Sequence, residues 1–265
     1  MNSTNPYLPT RATILDIRRE TPIDWTFVLE WTRKPLPGQF FEVSVPQWGE
    51  APVSISDIGE DRIEMTIRKV GRLTDAIFSL MPGEALFLRG PYGNGFPMER
   101  FAGRQLIIAA GGTGLAPVRP IIRHCTSQSG FLAKLDILLG FKTPDDMLFR
   151  SNVEEWKKSA AVHITVDRAT GEWNGPQGVI TALIPQVQIN DLDRTEVIVV
   201  GPPLMMKFTV LAFLDRGISP NRIWVSYERR MSCGAGKCGH CKIHDRYVCL
   251  DGPVFNYAEA RWLQD

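Results

Sequence analysis

The chain has 265 residues, 44% of them hydrophobic and 22% charged, so it can bury a core and form two domains or three small modules. Thirty basic and 29 acidic residues leave a formal charge of +1, which favours neither nucleic acid nor a membrane surface as a partner. Because no signal peptide and no spanning segment is evident, we expect a cytoplasmic protein. In that reducing compartment a cysteine cluster indicates metal or redox chemistry rather than a disulfide.

The first third of the chain has the pattern of short antiparallel strands. Apolar residues alternate with polar ones in segments 25–31, 41–45 and 63–67, and turn sequences such as KPLPG lie between them. Only one short helix is expected, after Thr74. The pattern predicts a small antiparallel β barrel in a domain of residues 1–100.

From residue 101 to residue 227 the rhythm changes to an alternation of strands and helices. The predicted strands are β-branched apolar runs at 106–110, 135–141, 162–166, 197–200 and 223–227. The predicted helices cover 117–125 and 204–216. Such alternation predicts an α/β domain with a parallel sheet and helices on both of its faces.

Two glycine-containing loops follow strands of this second domain. Gly111, Gly112 and Gly114 precede a helix, where glycine lets backbone N–H groups approach a pyrophosphate. Pro117 replaces the last glycine of the dinucleotide fingerprint, so a plain strand-to-helix turn is the alternative. A Gly-Pro-Pro run at 201–203 breaks the chain after another strand, and two such strand ends can form one nucleotide crevice.

The barrel has its own candidate binding elements. Ser54 follows Pro52 within a strand, and Gly71 with Thr74 marks the start of the short helix. Thr74 can cap that helix, and the free N–H groups can take a phosphate. The glycine-rich sequence GPYGNGF at 90–96 is expected to be a structural turn that ends the barrel.

Four cysteines crowd together near the end of the chain: Cys233, Cys238, Cys241 and Cys249. The spacing C-x4-C-x2-C is that of plant-type [2Fe–2S] ligation, although the fourth cysteine lies farther away there. Zinc is the alternative, since Cys238 and Cys241 could supply one close pair of ligands. Interspersed glycines favour iron and sulfur because they let N–H groups point at inorganic sulfurs. We therefore predict a small C-terminal iron–sulfur module at 228–265.

In this order, the P-x-S and G-x-x-T elements, the GPYGNGF sequence and the GGTGLAP and GPPLMM loops resemble the ferredoxin–NADP reductase superfamily. The resemblance covers nearly the whole chain and implies FAD on the barrel and a nicotinamide nucleotide on the α/β domain. The tail is similar to that of two subfamilies, the electron-transfer subunits of dihydroorotate dehydrogenase and the corresponding subunits of anaerobic sulfite reductase. The motifs GEAPVSISD, VGPPLMM, YERRM and DGPVFNYAEA are most similar to the latter.

The resemblance also implies roles for individual residues. Ser54 would offer a hydrogen bond near the reactive flavin nitrogen. Apart from the resemblance, the position of Glu228 next to the cysteine loop and just past a strand end leads us to expect it near the nicotinamide; Ser54 and Glu228 are the candidate catalytic residues. The implied cofactor-binding residues are Pro52, Val53, Ser54, Arg68, Gly71, Arg72, Leu73, Thr74, Gly112, Thr113, Gly114, Gly201, Pro202 and Pro203. The four tail cysteines would be the metal ligands.

The sequence departs from the superfamily at two positions. Arginine usually precedes the proline of the P-x-S element, and here the residue is Ala51, so a basic residue of 68–72 is expected to take the flavin phosphate. The usual cysteine before the Gly-Pro loop is Val200. The segment after the second strand of the α/β domain offers Lys142 and no arginine before Arg150, which favours NADH over NADPH.

These features predict an electron-input subunit that uses NADH, FAD and a [2Fe–2S] cluster. NADH delivers two electrons as a hydride and a cluster accepts one at a time, so a flavin is needed between them. The implied partners are a ferredoxin-like subunit and a sirohaem-bearing catalytic subunit of an anaerobic, dissimilatory-type sulfite reductase. The alternatives are an electron-transfer subunit of dihydroorotate dehydrogenase or of a hydrogenase and, in another class, a zinc-stapled nucleotide-binding regulatory module.

Overall fold

The structure is a computed structural model that describes residue 5 and residues 7–263. Its internal contacts divide the chain into two compact units, Met1–Phe96 with Tyr227–Val254 and Pro97–Ser226 with Phe255–Asp265. The cysteine segment therefore belongs to the same unit as the barrel. The three modules expected from the sequence, 1–100, 101–227 and 228–265, stay a prediction.

The first unit contains the predicted antiparallel barrel, which is closed by six strands in the order β1-β2-β5-β4-β3-β6. The strands are β1 (Thr10–Arg19), β2 (Asp24–Glu30), β3 (Phe40–Val45), β4 (Gly49–Ile58), β5 (Arg62–Arg68) and β6 (Ala85–Tyr92). The expected short helix is α1 (Arg72–Ile77), between β5 and β6. Alternation of apolar and polar residues along these strands correctly predicted the barrel.

The barrel interior is filled by one set of alternating side chains. Phe41 and Val43 of β3, like Leu86 and Leu88 of β6, are almost completely buried in this core. Because successive side chains of a strand point to opposite faces, the residues between them point out of the barrel. This alternation decides which side chains of β3, β4 and β6 can form a site on the outside.

The second unit contains a parallel sheet in which β11, β10, β7, β8 and β9 are neighbours in that order. Its strands are β7 (Gln105–Gly111), β8 (Lys134–Phe141), β9 (Ala161–Val166), β10 (Thr195–Val200) and β11 (Ile223–Ser226). Its helices are α2 (Met98–Phe101), α3 (Leu115–Ser127), α4 (Arg150–Trp156) and α5 (Pro203–Asp215). Short 3-10 helices cover Gly112–Gly114, Pro144–Asp146, Ile180–Gln186, Leu192–Arg194 and Pro220–Arg222. The predicted parallel sheet is confirmed.

The C-terminal segment contains only short elements. They are β12 (Lys242–Ile243), β13 (Arg246–Tyr247), α6 (Val248–Asp251), β14 (Val254–Asn256) and α7 (Tyr257–Ala260). Strands β12 and β13 form a small antiparallel pair, and β14 is the edge strand of the parallel sheet beside β11. Among the described helices, none combines the length and the apolar character needed to cross a membrane.

Candidate cofactor sites

Strands β3 and β4 place the P-x-S element on the outside of the barrel. In the antiparallel register, Phe40 of β3 lies opposite Ser54 of β4, and Glu42 lies opposite Pro52. Directly opposed residues project to the same face, so Pro52 and Ser54 share the outer surface with Phe40 and Glu42. Val53 packs instead against the barrel core. Any contact of Val53 with a flavin on this outer surface would therefore be made by its backbone.

Strand β6 continues this surface on the other side of β3. Glu42 lies opposite Arg89, and Phe40 lies opposite Tyr92, with their ring centroids 5.9 Å apart. The residues of all three strands that point outward form what we call the outer barrel face: Phe40, Glu42, Glu50, Pro52, Ser54, Arg89 and Tyr92. The face extends from the P-x-S element on β4 to the glycine-rich end of β6.

The predicted phosphate-binding element surrounds the start of α1. Gly71, not Thr74, is the residue that precedes the helix, and Thr74 is its third residue. The Thr74 hydroxyl accepts hydrogen bonds from the N–H groups of Val70 at 2.9 Å and Gly71 at 3.0 Å, and donates to the Gly71 carbonyl at 2.8 Å. Thr74 thus supports the helix start from inside the first turn. Leu73 packs against the barrel core beside it.

The basic residues near this element differ in their surroundings. The Arg68 guanidinium donates to both carboxylate oxygens of the buried Asp24, at 2.7 and 2.9 Å. Lys69 lies 3.7 Å from the carboxylate of Asp75, and Arg72 is exposed. Since Arg68 is held by a buried carboxylate, Arg72 is the better placed of the two predicted arginines to reach a phosphate.

The two glycine-containing loops of the parallel sheet meet each other. Ala110 and Val200 are register partners on the neighbouring strands β7 and β10, so both loops leave the sheet at the same edge. A Cβ atom on Gly114 would lie 2.6 Å from the Val200 carbonyl oxygen and 2.7 Å from Gly201. Only glycine at 114 allows this approach, which brings the backbones of 112–114 and 201–203 together as the sequence predicted.

Further glycines at this edge accommodate one methionine side chain. A Cβ on Gly111 would lie 2.3 Å from the Met205 sulfur, and one on Gly201 would lie 2.7 Å from it. Pro202 and Pro203 begin α5 directly after Gly201. The two loops are therefore closely packed, with the Met205 side chain occupying the space that side chains at 111 and 201 would otherwise fill.

The other candidate catalytic residue, Glu228, lies two residues beyond β11 and is exposed. It belongs to the unit that contains the barrel and the cysteines, whereas the glycine loops belong to the other unit. Its expected place near a nicotinamide stays a prediction.

The four tail cysteines lie in one loop region and form two pairs. The Sγ atoms of Cys241 and Cys249 are 3.3 Å apart, and both residues are buried. Cys233 and Cys238 form the second pair, and Cys238 is the exposed member. Within the part of the chain that the structure describes, no three cysteine, histidine or acidic side chains converge on a single metal-ion position. His240 and His244, which lie in the same loop region, are both exposed.

Backbone N–H groups point at the cysteine sulfurs. Those of Ala235 and Lys237 lie 3.3 and 3.4 Å from the Cys233 Sγ, and that of Gly236 lies 3.2 Å from the Cys249 Sγ. Gly234, Gly236 and Gly239 have φ values of 66°, 67° and 80°, in the left-handed region that favours glycine. Four thiol ligands with amide donors around them fit the chemistry of an iron–sulfur site.

The environments of the cysteines differ in their effect on thiol ionisation. A backbone hydrogen bond from His240, followed by hydrogen bonds with Cys233, lowers the pKa of Cys238. Burial, followed by the hydrogen bond with Cys241, raises the pKa of Cys249 to about 12. The thiol of the exposed Cys238 therefore loses its proton more readily than the thiol of the buried Cys249.

The cysteine segment is attached to the barrel through the GPYGNGF sequence. Asn94 donates from its side-chain amide to the carbonyls of Asp251 at 3.0 Å and Val254 at 2.8 Å, and accepts from the Val254 N–H at 3.0 Å. A Cβ on Gly93 would lie 2.5 Å from Pro253 and 2.6 Å from the Gly252 carbonyl. The turn predicted to end the barrel thus also binds and packs against the C-terminal segment.

Three charged residues of the outer barrel face were not singled out by the sequence. Arg89 forms an ion pair with Glu50, 2.6 Å between Nη2 and Oε1, and also reaches the cysteine loop. Glu42 is fully buried, and neither of its carboxylate oxygens has a hydrogen-bond partner among the described residues. Burial first, and the negative charge of Glu50 next, raise the pKa of Glu42 to about 7, against the opposing effect of Arg89. The sequence offered one signal for Glu42: it is a glutamate at an outward position of β3, a strand otherwise rich in apolar residues.

Comparison with known proteins agrees with this arrangement. A family profile of the oxidoreductase NAD-binding domain matches residues 108–210. A second profile, the iron–sulfur cluster binding domain of dihydroorotate dehydrogenase B, matches residues 228–260. The two matched ranges contain the glycine-containing loops and the four tail cysteines, respectively.

Curated relatives match the chain over almost its full length. The sulfhydrogenase 2 subunit gamma of Pyrococcus furiosus is 35% identical over 97% of this chain and 97% of its own length. A probable dihydroorotate dehydrogenase B (NAD(+)) electron transfer subunit of Thermoplasma volcanium is 33% identical over 88% of this chain and 84% of its own length. Both are named as subunits of larger enzymes.

Solved structures show the same architecture. A chain of the NADH-dependent reduced ferredoxin-NADP oxidoreductase superimposes with a TM-score of 0.77 at 25% identity, covering 98% of this chain and 91% of that chain. The cytochrome b5 reductase domain of Ulva prolifera nitrate reductase shares the fold, with a TM-score of 0.71 at 19% identity over 84% of this chain and 98% of that chain. The chain is an NAD-binding flavin oxidoreductase subunit with an iron–sulfur domain, and it belongs to the ferredoxin–NADP reductase-like superfamily, in the group that contains the sulfhydrogenase gamma subunits and the electron-transfer subunits of dihydroorotate dehydrogenase B.

Proposed function

We propose that this subunit accepts a hydride from NADH onto FAD and passes single electrons through a [2Fe–2S] cluster to a partner subunit. The observation that carries the proposal is the shared outer barrel face. Pro52 and Ser54, the residues expected at the flavin ring, are separated only by strand β3 from Arg89, which contacts the cysteine loop. Two strand spacings amount to about 10 Å, so a flavin at Pro52 and Ser54 and a cluster held by the loop that Arg89 contacts would be bound on the same face of the barrel.

The roles of the chain's own residues follow from this arrangement. When bound, FAD supplies the conversion between two-electron and one-electron chemistry, and the cluster supplies one-electron transfer. Ser54 would orient the flavin ring by a hydrogen bond, and Arg72 with the start of α1 would hold its pyrophosphate. The backbone N–H groups of the loop at 112–114 would bind the nucleotide, and Gly201, Pro202 and Pro203 would line the site beside it.

The amide donors around the cysteines support an iron–sulfur cluster over zinc. The backbone N–H groups of Ala235, Gly236 and Lys237 point at the sulfurs of Cys233 and Cys249. The glycines of this loop let the backbone wrap closely around a cluster and point N–H groups at its inorganic sulfurs, which a closed zinc site needs less. Cys233, Cys238, Cys241 and Cys249 would be the four ligands of a [2Fe–2S] cluster.

NADH is the proposed donor, with NADPH less favoured. The chain after β8 continues with the exposed Lys142 and reaches its first arginine only at Arg150. The Arg150 guanidinium contacts the carbonyl of Pro144 and lies 4.0 Å from the Asp145 carboxylate. Neither basic residue forms the kind of arginine clamp that selects a 2′-phosphate.

The partner proposed from the motifs is an anaerobic sulfite reductase. The chain would deliver electrons in the cytoplasm to a ferredoxin-like subunit and a sirohaem-bearing catalytic subunit. Among the described residues the only cysteine outside the tail cluster is the buried Cys125, so sulfite reduction itself would take place on another chain.

The curated relatives favour a second candidate, a hydrogenase-type catalytic partner. Two sulfhydrogenase gamma subunits of Pyrococcus furiosus are 35% and 34% identical to this chain, each over 97% of it. Purification of the complex from its native source, followed by identification of the catalytic subunits, separates the candidates. Co-purification with sirohaem protein supports the first candidate, whereas co-purification with a hydrogenase large subunit supports the second.

The spectrum of the purified chain, recorded before and after addition of NADH, tests the proposed chemistry itself. We expect flavin and iron–sulfur absorbance that both bleach on reduction, with two irons per chain as the proposed cluster requires. A colourless protein that contains one zinc and no flavin would refute the proposal and support a zinc-stapled regulatory module.

A further inference from the structure

We propose that Arg89 is a positioning residue of the iron–sulfur site. It fixes the first cysteine ligand to the barrel, and its charge, balanced by Glu50, sets the reduction potential of the cluster. The inference rests on the proposed function, because it requires a cluster at the tail cysteines. It concerns a residue outside the cysteine motif, more than 140 positions away along the chain.

The guanidinium of Arg89 is fully committed in its hydrogen bonding. Nη2 donates to the Ser232 carbonyl at 2.7 Å, and Nη1 donates to the Cys233 carbonyl at 3.0 Å. Nε and Nη2 donate to the two carboxylate oxygens of Glu50 at 3.1 and 2.6 Å. Nη1 also reaches the Tyr92 hydroxyl at 3.0 Å. These five acceptors match the five N–H donors of an arginine, a set that lysine cannot reproduce.

The contacts hold the loop at the residue that carries the first ligand. Arg89 donates hydrogen bonds to the backbone carbonyl of Ser232, on the N-terminal side of this ligand, and to the carbonyl of Cys233 itself. On the C-terminal side, a Cβ on Gly234 would lie 2.6 Å from the Tyr92 ring, so the loop backbone rests directly on that ring. The position of the Cys233 sulfur is therefore determined by two residues of β6.

The same contacts place a buried positive charge beside the ligand. Arg89 is only 6% exposed, so its charge is poorly screened by solvent. Glu50 neutralises part of it through the two-point ion pair. Reduction adds a negative charge to a cluster, so a nearby cation favours the reduced form and a nearby carboxylate disfavours it. Loss of Arg89 and loss of Glu50 should therefore shift the potential in opposite directions.

The test is a potentiometric titration of the full-length, cofactor-loaded chain, followed by the electron paramagnetic resonance signal of the reduced cluster. We expect Arg89→Gln to reduce the equilibrium constant for cluster reduction about tenfold, which equals about 59 mV for one electron. Glu50→Gln should increase the constant, and Arg89→Lys should lie closer to the wild type than Arg89→Gln. Arg18→Gln, which breaks a barrel ion pair with Glu64, is the matched control and should leave the potential unchanged.

Shifts of the reduction potential in opposite directions in Arg89→Gln and Glu50→Gln would support the inference. A purely structural role of the ion pair predicts instead that both variants lose the cluster to the same extent. Where Arg89→Gln does not retain its cluster, the Glu50→Gln potential decides, and a fall or no change overturns the inference. Loss of the cluster from both variants, with a loaded wild type, also overturns it. A wild-type protein without iron would instead refute the proposed function, so the two failures are distinguishable.

Discussion

Glu42 and Arg89 lie directly opposite each other on the neighbouring strands β3 and β6, yet no hydrogen bond joins them in the part of the chain that the structure describes. The five donors of Arg89 are used by Glu50, Tyr92 and the backbone of the cysteine loop. Glu42 is therefore a buried carboxyl group with a cation nearby but no donor aimed at it. Such a group is costly to ionise, which is why its pKa lies well above the ordinary value.

This relationship predicts a pH-dependent stability difference for Glu42→Gln. The pKa of Glu42 rises from 4.5 to about 7 on folding, so the folded protein binds a proton more tightly than the unfolded chain between these values. The contribution of Glu42 to the free energy of unfolding thus falls as the pH rises through this range. We expect Glu42→Gln to be more stable than the wild type at pH 8, by about 3 kcal/mol, and nearly equal to it at pH 4.5.

Denaturant titrations at both pH values check this expectation, with both proteins at equal cofactor occupancy. Glu64→Gln is the matched control, since Glu64 is also a buried barrel carboxylate but forms an ion pair with Arg18. Glu64→Gln should lower the free energy of unfolding at pH 8, because it breaks this ion pair. A Glu42→Gln variant that is less stable than the wild type at pH 8 would contradict the assignment.

Cys238→Ser should remove the visible absorbance of the cluster and leave flavin reduction by NADH largely intact. The reason is that Cys238 is the exposed member of the cysteine set, so its replacement disturbs the core little. Stopped-flow absorbance after mixing with NADH measures both properties. Cys125→Ser is the control: this thiol is buried on α3, and burial alone raises its pKa to about 12. Loss of flavin reduction in Cys238→Ser would show that the loop is structural for the whole unit.

Gly114→Ala should weaken NADH binding by at least about tenfold, because the added Cβ would lie 2.6 Å from the Val200 carbonyl and force the two nucleotide loops apart. Flavin and iron content should stay at wild-type levels, since Gly114 belongs to the other unit. Gly171→Ala is the control, because a Cβ there meets no atom within 4 Å and its φ of 61° adds only local backbone strain away from the loops. Equal NADH affinity in Gly114→Ala and the wild type, by fluorescence titration, would argue against a nucleotide site at this edge.

Gly93→Ala should reduce cluster occupancy. Its φ of 75° is unfavourable for alanine. The Cβ would also lie 2.5 Å from Pro253, so the C-terminal segment could no longer pack closely against the end of the barrel. Gly83→Ala is matched for backbone strain, with φ at 94°, but its Cβ meets no atom within 4 Å. The control should lose only about 1 kcal/mol of stability and keep its iron. Iron analysis and thermal unfolding of both variants measure the difference; equal iron content would show that the contact is dispensable.

The elements of both units could be predicted from the sequence because their signals are local. Period-two alternation in β2, β3 and β5 reflects one apolar face of each strand that is turned into the barrel, and apolar runs such as β7 and β10 reflect strands buried on both faces. The spacing of the tail cysteines likewise indicated their ligand chemistry without any knowledge of the fold. Thr74 was placed correctly near a helix start, but the residue that precedes the helix is Gly71, since helix boundaries depend on backbone conformation that several residue types allow.

By itself, the sequence determined the two kinds of sheet, the glycine loops and the set of cysteines, since each depends on residues close together along the chain. Only the tertiary structure decided that Arg89 reaches the carbonyls of Ser232 and Cys233, that Glu42 lies buried between Pro52 and Arg89, and that the sulfurs of Cys241 and Cys249 lie in contact. The physical reason is that these relationships arise from strand register and from the packing of a distant segment on the barrel. Neither leaves a periodic signal in the residues concerned.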